Sequence, residues 1–380
     1  MPVDRLLPDQ DAADLIALTR DIADKVLTPL VDEHERTETY PDGVFGQLGA
    51  AGLLSLPQPE KWGGSGQPFE VYLQVLEEIA ARWAAVAVAV SVHSLSCNPL
   101  LAFGTDEQKE RWLPGMLSGE QIGAYSLSEP QAGSDAAALQ CTAMRTDTGY
   151  VINGSKAWIT HGGRAHFYKL FARTGEGSRG ISCFLVPADQ PGLSFGKPEE
   201  KMGLAAVPTT SAFYDNAAID AERRIGTEGQ GLQIAFSALD SGRLGIAAVA
   251  VGIAQAALDE ACAYANDRTT FGRKIIDHQG LGFLLADMAA AVASARATYL
   301  DAARRRDADR PYSQQASIAK LVATDAAMKV TTDAVQVLGG VGYTRDYRVE
   351  RYMREAKITQ IFEGTNQIQR LVIARGLTTA

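Results

Sequence analysis

The chain has 380 residues, 46% hydrophobic and 21% charged, with 36 Lys and Arg against 45 Asp and Glu for a net charge of −9. That is ordinary globular composition with ample apolar surface to offset chain entropy, which excludes disorder, and the length predicts two or three domains. The acidic balance counts against nucleic acid as the main partner, because neutralising phosphates needs a surplus of Lys and Arg.

The first ten residues, MPVDRLLPDQ, lack the basic start and apolar run of a signal peptide, so the chain is expected to be cytoplasmic. Leu15, Ile16, Leu18, Ile22, Val26, Leu27 and Leu30 recur at helical spacing, and Pro29 marks a kink or an end nearby. Residues 69–91, rich in Ala, Val, Leu and Glu without turn signals, read as one helix. Thr105 reads as the N-cap of a short helix over 106–117. From about 121 to 226 the pattern changes, with β-branched and aromatic residues alternating with Gly, Asn, Asp and Pro. Residues 139–145 and 150–158 around Thr146–Asp147–Thr148–Gly149 predict a hairpin, and 166–173 and 180–187 predict two more strands. Helical periodicity returns over 232–266, 279–306, 313–338 and from about Asn366, which predicts an antiparallel four-helix bundle. The expected class is mainly α with an inserted β domain: a helical N-terminal domain over 1–120, a β-barrel-like middle domain over 121–228 and a C-terminal four-helix bundle over 229–380.

The longest strongly apolar stretches, 84–92 and 244–254, fall short of the roughly 20 residues of a spanning helix, so no membrane association is expected. Cys97, Cys141, Cys183 and Cys262 are scattered, the five histidines form no H-x-x-x-H pair, and no metal is expected. Residues 175–180 fit G-x-G-x-x-G, but a strand follows where a helix should start, so they read as a hairpin loop. Ser317–Ile318–Ala319–Lys320 fits S-x-x-K in the middle of a helix, without its companion motifs, and reads as chance. Residues 338–343, with three glycines at Gly339, Gly340 and Gly342, end a long helix; they serve either as a C-cap turn or as a place of close backbone approach to a cofactor. Residues 126–135, SLSEPQAGSD, gather hydroxyls and backbone N–H groups at a strand end, which suits carbonyl oxygens and phosphate. Glu363, followed by glycine at a bend, is either a helix-start carboxylate or a general base in a dry cleft, where burial makes it a stronger base.

Together these segments resemble the acyl-CoA dehydrogenase family over nearly the whole chain. The resemblance rests on SLSEPQAGSD (126–135), NGSKAWIT (153–160), the Asp240/Arg243 pair in LDSGRLGIAA, RTTFGRKI (268–275), QVLGGVGYTRDY (336–347) and IFEGTNQIQR (361–370). It implies a homotetramer built as a dimer of dimers, non-covalent FAD, and oxidation of an acyl-CoA thioester to the 2,3-enoyl-CoA. Glu363 matches the base that takes the C2 proton. One branch of the family carries its base at the residue before the arginine, which is Gly242 here and has no acidic group.

By the same resemblance, Tyr125, Leu127, Ser128, Gly133 and Ser134 match the flavin-binding loop, with Ser134 also near CoA. Trp158, Ile159 and Thr160 match the segment flanking the flavin. Leu239, Asp240, Arg243, Phe362 and Gly364 match substrate-binding positions. Arg268, Thr270, Phe271, Gln279, Gln336, Val337, Leu338, Gly339 and Gly340 match residues reaching the FAD of a neighbouring subunit, and Thr365 and Gln367 match its adenine side. The segment after Gly339 and the S-V-H-S around His93 look most like short-chain or short, branched-chain members. The implied redox partner is electron-transferring flavoprotein. The alternatives are an oxidase-like flavoenzyme using oxygen, which is generally a longer chain, and a DNA-associated member, disfavoured by the charge of −9.

Overall fold

In the computed structural model, which describes residues 3–378, the Asp9 carboxylate accepts from the Ala12 N–H and starts α1 (Gln10–Ile22). A π-helical stretch, Ala23–Leu27, precedes α2 (Thr28–Thr37). Pro29 stands in the first turn of α2, where its missing N–H is one of the unpaired ones anyway, so the irregularity lies just before the proline. After α3 (Val44–Ala50), the helix expected over 69–91 is two helices, α4 (Phe69–Arg82) and α5 (Ala84–Phe103). The break is Trp83, extended at φ −148° and ψ 97°. Its indole N–H donates to Glu35 at 2.7 Å, a distant anchor that local spacing does not report. Helix α6 (Asp106–Leu117) opens with the reciprocal Thr105–Gln108 capping box.

The middle sheet contains β1 (Gly123–Ser126), β2 (Thr142–Arg145), β3 (Gly149–Thr160), β4 (Phe167–Arg173), β5 (Ile181–Pro187), β6 (Leu193–Phe195), β7 (Thr209–Asp220) and β8 (Arg224–Ile225). Their order is β6-β7-β3-β2-β4-β5-β8, with β1 parallel to β4. The expected hairpin is β2–β3, and the glycine-rich run at 175–180 is the β4–β5 turn, where the Thr174 and Gly175 N–H groups both donate to Gly180 O. Strand β7 carries no expectation of its own, although it pairs along most of β3. The β3–β7 register breaks between Lys156 and Ile159, a bulge that turns Trp158 outward at φ +63°.

The C-terminal part is α7 (Gly231–Asp267), a short hairpin of β9 (Thr269–Thr270) and β10 (Arg273–Lys274), α8 (Gln279–Asp307), α9 (Ser313–Leu338), α10 (Val349–Thr359) and α11 (Asn366–Thr378). Helix α10 is additional to the four expected. Small Ala, Val and Gly side chains let α4, α5 and α7 approach closely, and a Cβ at Gly252 would lie 2.5 Å from Glu77 O. Glu77 and Glu78 are buried there and paired with Arg5, Arg20 and Arg296, as buried charges must be.

Among the described residues, three helices are long and apolar enough to cross a membrane by length and composition only, each longer than the apolar runs read from the sequence: α5, α7 and α8. The protein core accounts for the first two, whose most apolar windows are 78% and 67% buried. In α8 only 22% of that window is buried, which leaves an apolar helix face uncovered.

Candidate functional site

The bend between α10 and α11 is the centre of the site. Glu363 at φ +51° and Gly364 at φ +89° both take left-handed backbone, so the chain doubles back and aims the Glu363 side chain inward. Neither carboxylate oxygen has a hydrogen-bond partner among the described residues, although both are buried. Burial pushes this carboxyl up to about 7, against the opposing pull of Lys320 and Arg243. Glu363 is therefore not a helix cap; α11 starts three residues later, with Thr365 Oγ1 accepting from the Ile368 N–H.

Helix α7 supplies the facing wall. A Cβ placed on Gly242 would lie 2.2 Å from Glu363 Oε2, so only glycine leaves room for the carboxylate. One residue on, the Arg243 guanidinium donates to Asp240 at 2.6 Å, and Ser313 Oγ donates to the same oxygen at 3.0 Å. Burial raises the Asp240 carboxyl, and Arg243 and Ser313 pull it back. A slender cavity opens beside Gly242, lined by Tyr72, Ser91, Ser94, Leu95 and Ser241 among others. Beyond it the helices close, since a Cβ on Gly245 would meet Ser91 Oγ at 2.3 Å.

The second wall comes from the sheet. Tyr125 packs on Phe171 at 5.1 Å and donates to Ala235 O of α7, while Leu127 and Leu239 join the same apolar cluster. Ser128 O accepts from the Ala157 N–H, which places Ser128 beside the bulge that carries Trp158. The indole of Trp158 is 63% exposed, Thr160 is half-buried, and Gly133 and Ser134 are exposed. Ile159 points into the core at 1% exposure, so neither its side chain nor its backbone is open to solvent. Buried Lys156 holds this loop by donating to Leu127 O and to Glu129.

The remaining residues assigned by resemblance lie elsewhere. Arg268, Phe271 and Gln279 are exposed around the β9–β10 hairpin, Phe271 almost fully, and Thr270 is half-buried there. Gln336, Gly339 and Gly340 are exposed at the end of α9, whereas Val337 and Leu338 are core side chains. Gly339 has φ +65° and its N–H donates to Val335 O and Gln336 O, so the doublet does cap α9, and no atom lies within 4 Å of where either Cβ would stand. Gln367 is exposed, and Phe362 packs against the helical core. Lys320 and Asn366 are functional candidates that motif reading passes over. The available signal was a lysine on the same face as Ala316, Ala323 and Ala327, a position the helical period assigns to the core.

Comparison with known proteins agrees along the chain. Residues 9–120, 124–217 and 229–378 match the family models for the acyl-CoA dehydrogenase N-terminal, middle and C-terminal domains. An acyl-CoA dehydrogenase of Bacillus subtilis is 45% identical over 95% of this chain and 96% of its own length. The butyryl-CoA dehydrogenase structure from Megasphaera elsdenii superposes with a TM-score of 0.96 at 40% identity, over 99% of this chain and 100% of that one. A chain solved in work on the electron transferring flavoprotein of Acidaminococcus fermentans gives a TM-score of 0.97 at 40% identity, with both chains fully covered.

Proposed function

The chain belongs to the acyl-CoA dehydrogenase family and is a flavin-dependent oxidoreductase with FAD as cofactor, and from that premise we propose that it converts a short, or short and branched, acyl-CoA to the 2,3-enoyl-CoA, with Glu363 taking the C2 proton. The observation that carries this reading is the Glu363 carboxylate, buried and without a hydrogen-bond partner beside Gly242. A base must be unsolvated and unpaired to pull on a weakly acidic C–H. One held near 7 is ionised in a large fraction at neutral pH and still has a strong affinity for the proton.

The residues present fit FAD. An isoalloxazine has apolar faces and a polar edge; the exposed Trp158 indole offers a face, and the accessible Ser128, Ser134 and Thr160 hydroxyls offer partners for the edge and phosphates. FAD, when bound, supplies the acceptor for the hydride that leaves C3. The chain's own residues do the rest. Gly242 keeps the carboxylate's space free. The Glu363 backbone N–H, which has no partner among the described residues, is available to the thioester oxygen, where a preorganised donor stabilises the charge that develops as the proton leaves. Asp240 and Arg243, neutralising one another at 2.6 Å, present a polar mouth suited to the CoA arm. The closure of the cavity at Gly245 and Ser91 favours a short acyl group, in keeping with the butyryl-CoA enzyme it resembles.

The uncovered apolar face of α8 and the exposed Arg268, Phe271 and Gln279 support a homotetramer in which these residues complete a neighbour's FAD site. Electron-transferring flavoprotein is the acceptor this reading assigns. The test is anaerobic titration of the yellow protein with butyryl-, isobutyryl- and 2-methylbutyryl-CoA. Bleaching of the flavin band by one or more of them is the expected result, and a yellow protein that none of them bleaches defeats the assignment.

A further inference from the structure

Building on the dehydrogenase reading above, we propose that Lys320 is the positioning residue for the proton-abstracting carboxylate: its ammonium clamps the loop that aims Glu363 and favours the ionised form of that base. Helix α9 carries Thr324 one helical turn after Lys320, with Asp325 next to it. The Lys320 ammonium donates to Gly364 O at 2.9 Å and to Asn366 Oδ1 at 2.9 Å. Asn366 in turn donates through Nδ2 to Thr324 Oγ1 at 2.9 Å and to Asp325 Oδ1 at 2.8 Å. Gln360 donates to the same Asp325 oxygen at 2.7 Å, and the Asn366 N–H donates to Gln360 O at 3.0 Å. Both ends of the loop that holds Glu363 are thus fastened to one helix.

The clamp matters because the loop does what no hydrogen bond to the carboxylate does. Glu363 is a non-glycine residue at φ +51°, a conformation that persists only where the surroundings over-determine it. Its carboxylate has no hydrogen bond to hold it in place, so the backbone alone aims it.

Charge gives a second argument. Lys320 is fully buried, and both oxygens it holds are neutral, so among the described residues no direct ion pair balances its charge. The charged and titratable groups facing Glu363 are Lys320 from α9, Arg243 from α7, and the Tyr72 and Tyr125 phenols from α4 and β1. Arg243 is already engaged with Asp240. Among the described residues Lys320 has no ion pair, Asp325 being the other carboxylate that acts on it, and the influence between Lys320 and Glu363 runs both ways. Burial depresses the Lys320 ammonium to about 8 and Glu363 opposes that, while Lys320 is the first of the groups opposing the upward push of burial on Glu363.

Lys320→Met removes the charge at similar length, and Lys320→Arg keeps it. In anaerobic stopped-flow reduction by butyryl-CoA across pH 5.5–9.5, the acid-side midpoint of Lys320→Met should rise by about one pH unit, because an opposite charge near a carboxyl lowers it by about 1–3 units. The high-pH plateau should also fall, through the loosened loop, and Lys320→Arg should recover the midpoint. A slower Lys320→Met with the wild-type midpoint, or an equal midpoint shift in both variants, overturns the proposal. Should Lys320→Met not accumulate as a yellow protein, Asn366→Ala decides: it keeps the charge and loosens the loop, so a lower plateau with an unmoved midpoint is required, and any other pattern overturns the idea. If no acyl-CoA reduces the wild-type flavin, the dehydrogenase reading fails. Melting temperatures then test Lys320 independently of activity. The stability that Glu363→Gln adds should level off about one pH unit higher when Lys320 is Met, and an unmoved plateau overturns the assignment.

Discussion

Glu129, in the loop after β1, and Glu363, in the loop before α11, are both carboxylates withdrawn from water, and they are treated in opposite ways. Glu129 is 3% exposed and fully engaged: Lys156 donates to it at 2.7 Å, the Gln140 and Cys141 N–H groups at 2.6 and 2.9 Å, and the Gln131 amide at 2.7 Å. Burial alone would raise its carboxyl, but Lys156 and these N–H groups hold it below the ordinary range. Glu363 has no hydrogen bond, and burial raises it to about 7. A saturated carboxylate is a strut with no lone pair left to react. An unsaturated one stores its desolvation cost as basicity, and the fold tolerates that cost where chemistry needs it.

The largest effect that separates the two belongs to Glu363→Gln. The amide is nearly isosteric, so the protein should stay yellow, while flavin reduction by acyl-CoA falls by roughly 10²–10⁴-fold, the usual share of a general base. Retained activity removes Glu363 from the mechanism. Next is Glu129→Gln, which leaves the Lys156 ammonium buried without its counter-charge. A loss of about 3–5 kcal/mol in denaturant unfolding is expected, and a variant within 1 kcal/mol of wild type would show that the pair is not a strut.

The smallest effect is a difference in sign. A raised carboxyl such as Glu363 adds most stability below its unfolded value, and that contribution is lost as pH rises from about 4.5 to about 7. Glu363→Gln should therefore be more stable than wild type at pH 8 by about 1–3 kcal/mol, read as a higher melting temperature, and show little gain at pH 4.5. A lowered carboxyl such as Glu129 acts in reverse, with stability present above its unfolded value and lost as pH falls. The deficit of Glu129→Gln should therefore shrink toward acid pH. Melting curves at the two pH values check both, and parallel behaviour of the two variants would refute the contrast.

Much of this protein is legible in local pattern. The helix–sheet–helix order, the Thr105 cap, the β2–β3 hairpin and the three long helices of the C-terminal part follow from periodicity and turn residues acting over a few positions. A carboxylate directly before a glycine singles out Glu363 in one dimension, and the family resemblance singles out Gly242 as the residue before the arginine. The break at Trp83 is not visible, since its cause is a hydrogen bond to Glu35 on another helix. Nor is the outward turn of Trp158, which arises from a register mismatch with β7. Lys320, read as chance within S-x-x-K, gains its place only when α9 packs beside the loop 44 residues away in sequence that carries Gly364. Short-range preferences act along the chain and can be read there. Burial, pairing and the lack of a partner are properties of neighbours brought together by folding, and they saturate one buried glutamate and leave the other without a hydrogen bond among the described residues.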